Sequence, residues 1–82
     1  MRLLQPMPKW NPCKRRDFIK KLKRIGFAPP EPGGSHFYMR YGTYTFTVPG
    51  NPEYSVPQVR TLLKEIEEGI GRKITLDEWE PL

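Results

Sequence analysis

Residues 35–48, SHFYMRYGTYTFTV, carry the clearest secondary-structure pattern in the chain. Apolar and polar side chains alternate through this stretch on both sides of Gly42, as they do in strands with one buried face. This pattern predicts an antiparallel hairpin with strands over residues 35–41 and 43–48. The predicted apolar face carries Phe37, Met39, Tyr41, Tyr44, Phe46 and Val48. The predicted polar face carries His36, Tyr38, Arg40, Thr43, Thr45 and Thr47.

An amphipathic helix is predicted before the hairpin, over residues 14–25. Apolar residues recur there at the spacing of one helical face. They are Phe18, Ile19, Leu22 and Ile25. Asn11 and Pro12 are the residue types expected at an N-cap and a first helical position, and Gly26 is suited to a C-terminal cap.

Residues 28–34, between this helix and the hairpin, read APPEPGG. The three prolines lack the backbone N–H groups that a central strand needs. The segment is therefore predicted to be a loop or, at best, an edge strand beside the hairpin.

A second helix is predicted after the hairpin. Ser55 and Gln58 form a capping box at its start, and Gly69 is expected to end it. Its buried face is marked by Val56, Val59, Leu62, Leu63 and Ile66.

A second capping box, Thr75 with Glu78, predicts a short helical turn that docks Leu76 and Trp79 on the core. The order of elements is thus helix, weak strand, two good strands and helix. Elements with one apolar face each are buried by packing in two layers. The fold class expected is α+β, with a three-stranded antiparallel sheet and both helices on one of its faces.

The length of 82 residues leaves room for one domain only. We expect an N-terminal extension over residues 1–10 and a single domain over residues 11–82. Cys13 is the only cysteine, which excludes an intramolecular disulfide and fits a reducing compartment. The N-terminal residues lack the apolar run of a signal peptide, and no run approaches the roughly 20 apolar residues of a membrane span. A soluble, cytoplasmic protein is expected.

Positive charge is concentrated in the first part of the chain. Residues 1–50 contain ten Lys or Arg against Asp17 and Glu31, whereas residues 51–82 contain four against seven acidic residues. A positive surface attracts phosphates, so the basic helix is a candidate nucleic-acid contact, although such charges also serve simply to solvate a helix face. The candidate RNA-binding residues are Lys14, Arg15, Lys20, Lys21, Lys23 and Arg24.

His36 is the only histidine and follows Gly33, Gly34 and Ser35 at the start of a predicted strand. An imidazole exchanges protons near neutral pH, which suits it to general acid–base catalysis at a phosphodiester. A lone histidine at a strand edge is, however, more often an ordinary surface residue. Residue spacing alone leaves both interpretations open.

Other polar residues are candidates on the same face. Tyr38 is able to stack on a base and Arg40 to hold a phosphate, unless both are merely exposed. Ser35 is a candidate for orienting the histidine or a phosphate, but serine is also a common turn residue. No spacing of metal ligands is recognisable, and no metal or other cofactor is expected.

Several motifs together resemble the HicA toxin family. They are the basic helix ending in Gly26-Phe27, the Gly34-Ser35-His36 motif that opens a strand, the Val48-Pro49-Gly50 turn, and the second helix with Leu62-Leu63. The resemblance covers about residues 11–80. The chain departs from the family in having Gly50-Asn51-Pro52 where members often have a second histidine, and in its prolines at positions 29, 30 and 32.

The resemblance implies a fold similar to double-stranded-RNA-binding domains, an endoribonuclease activity that cleaves mRNA, and neutralisation by a HicB-type antitoxin. The catalytic histidine of the family corresponds to His36. Under this interpretation the chain is a metal-independent RNase toxin. Two alternatives stay open: an RNA-binding module of the same fold that does not cut, and an inactive relative whose basic helix receives an acidic protein partner.

Overall fold

A computed structural model describes residues 9–82, so most of the extension expected over residues 1–10 lies outside the described residues. The elements are β1 (Cys13–Lys14), α1 (Arg15–Ile25), β2 (Glu31–Gly33), β3 (His36–Tyr41), β4 (Tyr44–Val48), β5 (Glu53–Tyr54), α2 (Val56–Ile70) and α3 (Leu76–Trp79). No helix among the described residues is both long enough and apolar enough to cross a bilayer.

The predicted hairpin is present as β3 and β4, and β2 joins it at the edge. The three strands form an antiparallel sheet in the order β2-β3-β4. Two-residue turns join the strands, and each has a glycine with positive φ, Gly34 at 65° and Gly42 at 59°, at its first central position. A positive φ there matches the twist of a hairpin. Pro32 is tolerated in β2 because an edge strand can spare a donor.

The alternation of side chains in the hairpin produces the two layers that were predicted. Met39 and Phe46 are fully buried, and α1 packs on them through Phe18, whose ring centroid lies 6.2 Å from that of Phe46. Tyr44, on the same face, lies against Gly69 of α2. Both helices therefore cover one face of the sheet, and the α+β architecture is confirmed.

The start of α1 differs from the prediction. Cys13 and Lys14 form β1, which pairs antiparallel with Tyr54 and Glu53 of β5. The N-cap residue is Lys14, whose side chain makes no capping bond, and the backbone N–H of Arg15 donates to the carbonyl of Pro52 at 3.0 Å. The N-cap predicted at Asn11 is wrong because pairing with a distant segment holds residues 13–14 extended.

The end of α1 and the starts of α2 and α3 agree with the prediction. Gly26 donates to the carbonyls of Leu22 and Lys23 and ends α1. The Ser55 hydroxyl accepts from the N–H of Gln58 at 3.4 Å, and the Thr75 hydroxyl accepts from the N–H of Glu78 at 3.3 Å. These contacts satisfy donors that a helix N-terminus leaves free.

α3 docks on the core through Trp79. This side chain is buried, and its ring centroid lies 5.0 Å from that of Phe18. Lys21 of α1 donates to the carbonyls of Trp79 and Glu80 at 2.9 and 3.1 Å, and its ammonium lies 5.1 Å from the centroid of the Trp79 ring. The contacts satisfy carbonyls at the C-terminal end of α3 and fix it against α1.

The end of α2 is also corrected. The helix continues through Gly69 to Ile70, and Gly71, with φ 73°, is the left-handed cap. Gly69 is instead a packing residue, because a Cβ at this position would clash with the ring of Tyr44. The sequence indicated a glycine near the end of the helix but not which of the two glycines caps it.

We expect Gly69→Ala to destabilise the protein by about 1 kcal/mol or more, although alanine is the better helix former by a similar amount. The reason is that Tyr44 must move, and its ring packs on Phe27, 6.3 Å away between centroids. Urea unfolding of both proteins measures the difference. Gly50→Ala is the control, because an added Cβ there meets nothing within 4 Å. A Gly69→Ala protein as stable as the wild type would contradict this role for the glycine.

Candidate active site

His36 lies at the first position of β3, directly after the turn formed by Gly34 and Ser35. It pairs with Gly33 of β2 and shares the open face of the sheet with Tyr38. The residue is exposed, and its ring makes no hydrogen bond to any other residue in the range 9–82. The imidazole is thus presented to solvent at the end of a hairpin, where a large ligand can approach it.

The glycines before His36 have different roles. Gly34 takes the backbone conformation that the turn requires. Gly33 leaves space for the ring of Tyr38, with which a Cβ at this position would clash. The half-buried ring of Tyr38 lies over Gly33, which is the residue that pairs with His36. The ring therefore forms one side of the surface around the imidazole.

Arg40 also lies on the open face, but it has a partner. Its Nε is 3.0 Å from Oε2 of Glu31, and both side chains are exposed. Four positions along the strand place it about 14 Å from His36. An exposed ion pair contributes ~1 kcal/mol or less, so a phosphate could displace Glu31, but Arg40 is not adjacent to the imidazole.

The turn after β4 lies at the same end of the sheet as His36, because Phe37 pairs with Val48. Three side chains hold this turn. The Tyr54 hydroxyl donates to the carbonyl of Pro49 at 2.6 Å, Arg15 Nη1 donates to the carbonyl of Gly50 at 2.7 Å, and Gln58 Nε2 donates to Oδ1 of Asn51 at 3.3 Å. A guanidinium is thereby fixed at the His36 end of the molecule.

Tyr54 was not singled out from the sequence as a residue that supports the site. It is fully buried, and burial raises the pKa of its hydroxyl to about 12. It therefore remains a hydrogen-bond donor to Pro49 across the neutral pH range. Its position in a two-residue strand has no periodicity, which is why no sequence pattern indicated it.

The cations predicted to bind RNA are divided among several surfaces. Lys21 is engaged with α3 and Arg15 with the Gly50 turn, whereas Lys14 is exposed in β1. The exposed cations of α1 lie on its side away from the sheet, since Phe18 and Leu22 face the core. They are Lys20, Lys23 and Arg24, together with Arg16, which the sequence analysis did not include.

This arrangement separates two groups of candidate residues. The exposed side of α1 points away from the sheet, and the face that carries His36, Tyr38 and Arg40 points away from the helices. Of the predicted cations, Arg15 at the N-terminal end of α1 reaches the turn beside the end of the sheet at which β3 begins. Ser35 is exposed in the turn beside His36.

The described residues do not favour catalysis by a cysteine nucleophile. Cys13 is a free thiol that is buried, and burial raises its pKa, so it is a poor nucleophile. The described residues contain no group of three or more His, Cys, Asp and Glu side chains placed to hold a metal ion.

The structure is that of a small basic α+β protein that presents a histidine on the uncovered face of a three-stranded sheet. Comparison with models of protein families gave a match. The sequence model of the HicA toxin of bacterial toxin–antitoxin systems matches residues 15–67, from the start of α1 almost to the end of α2. The chain belongs to this family and is a toxin component. Searches of curated proteins and of solved structures gave no significant match.

Proposed function

We propose that the chain is a metal-independent endoribonuclease that cleaves mRNA, with His36 as general acid or base. The observation that supports this most directly is the position of the only histidine, which is exposed on the uncovered sheet face, at the same end of the sheet as the Arg15 guanidinium. The family match supports the toxin context in which such an activity would operate.

RNA carries its own nucleophile for this reaction. The ribose 2′-oxygen attacks the adjacent phosphorus while a base removes its proton, and the bond from phosphorus to the 5′-oxygen breaks as that oxygen gains a proton. The products are a 2′,3′-cyclic phosphate and a 5′-hydroxyl. His36 carries out one of the two proton transfers. The guanidinium of Arg15 lies at the same end of the sheet and contributes positive potential toward the phosphate.

The remaining predicted contacts are assigned to the RNA chain beyond the cleaved bond. Lys20, Lys23 and Arg24 are exposed and offer sites for phosphates, and Lys14 is exposed at the N-terminal end of α1. An RNA strand that reaches both surfaces passes around the N-terminal end of α1. A HicB-type antitoxin is the proposed protein partner, and its role is to prevent RNA from reaching His36.

The test is to incubate the purified protein with a long single-stranded RNA in EDTA and to analyse the fragments. We expect cleavage, with 2′,3′-cyclic phosphate ends. The same RNA with 2′-O-methyl riboses is the control and should remain intact, since its nucleophile is blocked. Addition of the cognate antitoxin before the RNA should also prevent cleavage.

Other outcomes identify the alternatives. Intact RNA with a mobility shift would favour a binding module that does not cut. Intact RNA without a shift, together with tight binding of an acidic protein partner, would favour an inactive relative. Cleavage that disappears only in EDTA would contradict metal independence.

A further inference from the structure

The next residue after His36 is the large apolar side chain that stands out on the described surface. Among residues 9–82, Phe37 is the only large hydrophobic residue that is exposed, with 48% of its surface accessible to solvent. An exposed aromatic ring beside a polar site is a feature of binding surfaces. Contact of the ring with water is unfavourable, and a bound ligand removes that contact.

The exposure of Phe37 has a structural cause. The residue is on the same face as Met39, which is fully buried, but it lies one pair closer to the end of the sheet. Its neighbours across the strands are Pro32 and Val48. Phe37 is paired on both sides in the central strand, so its backbone is fixed while about half of the residue remains exposed.

The hairpin tip between the two faces is narrow. Gly34 and Ser35 form the whole turn, and there is open space within 4 Å of where a Cβ of Gly34 would lie. Adjacent strand residues point to opposite faces, with Cα atoms about 3.8 Å apart. Because the two side chains point to opposite faces, an RNA strand has to pass around this tip to reach both, and it contacts His36 and Phe37 with different nucleotides.

We propose that Phe37 is a stacking platform for an unpaired nucleobase of the same RNA strand whose phosphate lies at His36, at a position beyond the cleaved bond. This inference rests on the proposed RNA-cleaving function and extends it to a base-binding subsite. Stacking on an aromatic ring holds any base by its flat face, and the nearby Arg15 guanidinium favours a polyanionic strand over an apolar peptide. The ring would select for single-stranded RNA, since paired bases do not expose their faces.

The experiment uses the His36→Ala protein, which keeps the RNA intact while Phe37 is tested. Short single-stranded RNAs carry one 2-aminopurine at successive positions, since the fluorescence of this base is quenched when it stacks on an aromatic ring. We expect one position to be quenched on binding. Adding Phe37→Leu should abolish that quenching and weaken binding by roughly 5- to 150-fold, whereas Phe37→Tyr should retain both.

Thr45→Ala is the matched control, because Thr45 is an exposed residue of β4 on the sheet face opposite to Phe37. It should bind and quench like its parent. Circular dichroism confirms that each variant is folded. Unchanged quenching in Phe37→Leu would overturn the inference, as would weak binding of Phe37→Tyr or an effect of Phe37→Leu on antitoxin binding alone.

Two outcomes distinguish the absence of a base-stacking subsite from the absence of nuclease activity. If wild-type protein does not cut RNA but Phe37 quenches a bound base, the subsite stands and the nuclease proposal falls. If wild-type protein cuts RNA and Phe37→Leu has the same KM, the nuclease proposal stands and the subsite falls.

Discussion

His36→Ala is expected to lower the rate of RNA cleavage by about 10²–10⁴-fold, the usual contribution of a positioned general acid or base. The free energy of unfolding should change by no more than about 0.5 kcal/mol, because surface substitutions of this kind have small effects. The imidazole is exposed and makes no hydrogen bond to any other residue among those described. Its loss should therefore lower the cleavage rate without lowering the stability of the fold. Initial cleavage rates and urea unfolding give the two quantities.

Two controls separate catalysis from binding. Thr45→Ala, on the same open face but farther along the sheet, should cleave at the wild-type rate. His36→Gln retains polarity without an imidazole's proton exchange and should be as inactive as His36→Ala. A His36→Ala protein that cleaves at close to the wild-type rate would remove His36 from the mechanism.

Phe18→Ala should produce the largest loss of stability, about 3–5 kcal/mol. Phe18 has no exposed surface, and its ring centroid lies 6.2 Å from that of Phe46, 5.3 Å from that of Tyr54 and 5.0 Å from that of Trp79. One side chain therefore joins α1 to the sheet, β5 and α3. For a small domain stabilised by about 5–15 kcal/mol, this loss approaches the point of unfolding.

Denaturant unfolding monitored by tryptophan fluorescence measures this loss. The control is Lys20→Ala, an exposed position on the same helix, where the change should stay within about 0.5 kcal/mol. A loss below about 1 kcal/mol for Phe18→Ala would show that α1 is not anchored through this residue.

The candidate site could be recognised from the sequence only in part. The Gly34-Ser35-His36 motif and the alternation after it located the histidine on the open face, and that position is confirmed. The supports of the neighbouring turn were not predicted, because Tyr54 and Arg15 reach Pro49 and Gly50 from other parts of the fold. The exposure of Phe37 was missed as well, since alternation predicts which face a side chain joins and not how far the helices extend over it.

The division of the basic residues is a second result of tertiary structure. Six cations were grouped because they were predicted to share the helix face opposite the apolar residues, but packing directs Lys21 to α3 and Arg15 to the Gly50 turn. Arg16, by contrast, is exposed beside Lys20 on the outer side of α1. The sequence shows which residues are charged. Which group each charged side chain contacts depends on the segments that pack beside it in the folded protein.

Local sequence patterns were sufficient to predict the hairpin, the two main helices, the capping boxes at Ser55 and Thr75 and the membership of a toxin family. Periodicity, capping and short motifs involve residues that are close together in the chain. The start of α1, the role of Gly69 and the surroundings of His36 became evident from the folded structure. The physical reason is that pairing of Cys13 with Tyr54, and packing of Gly69 on Tyr44, join residues far apart in sequence. Their free energy depends on contacts that no local pattern encodes.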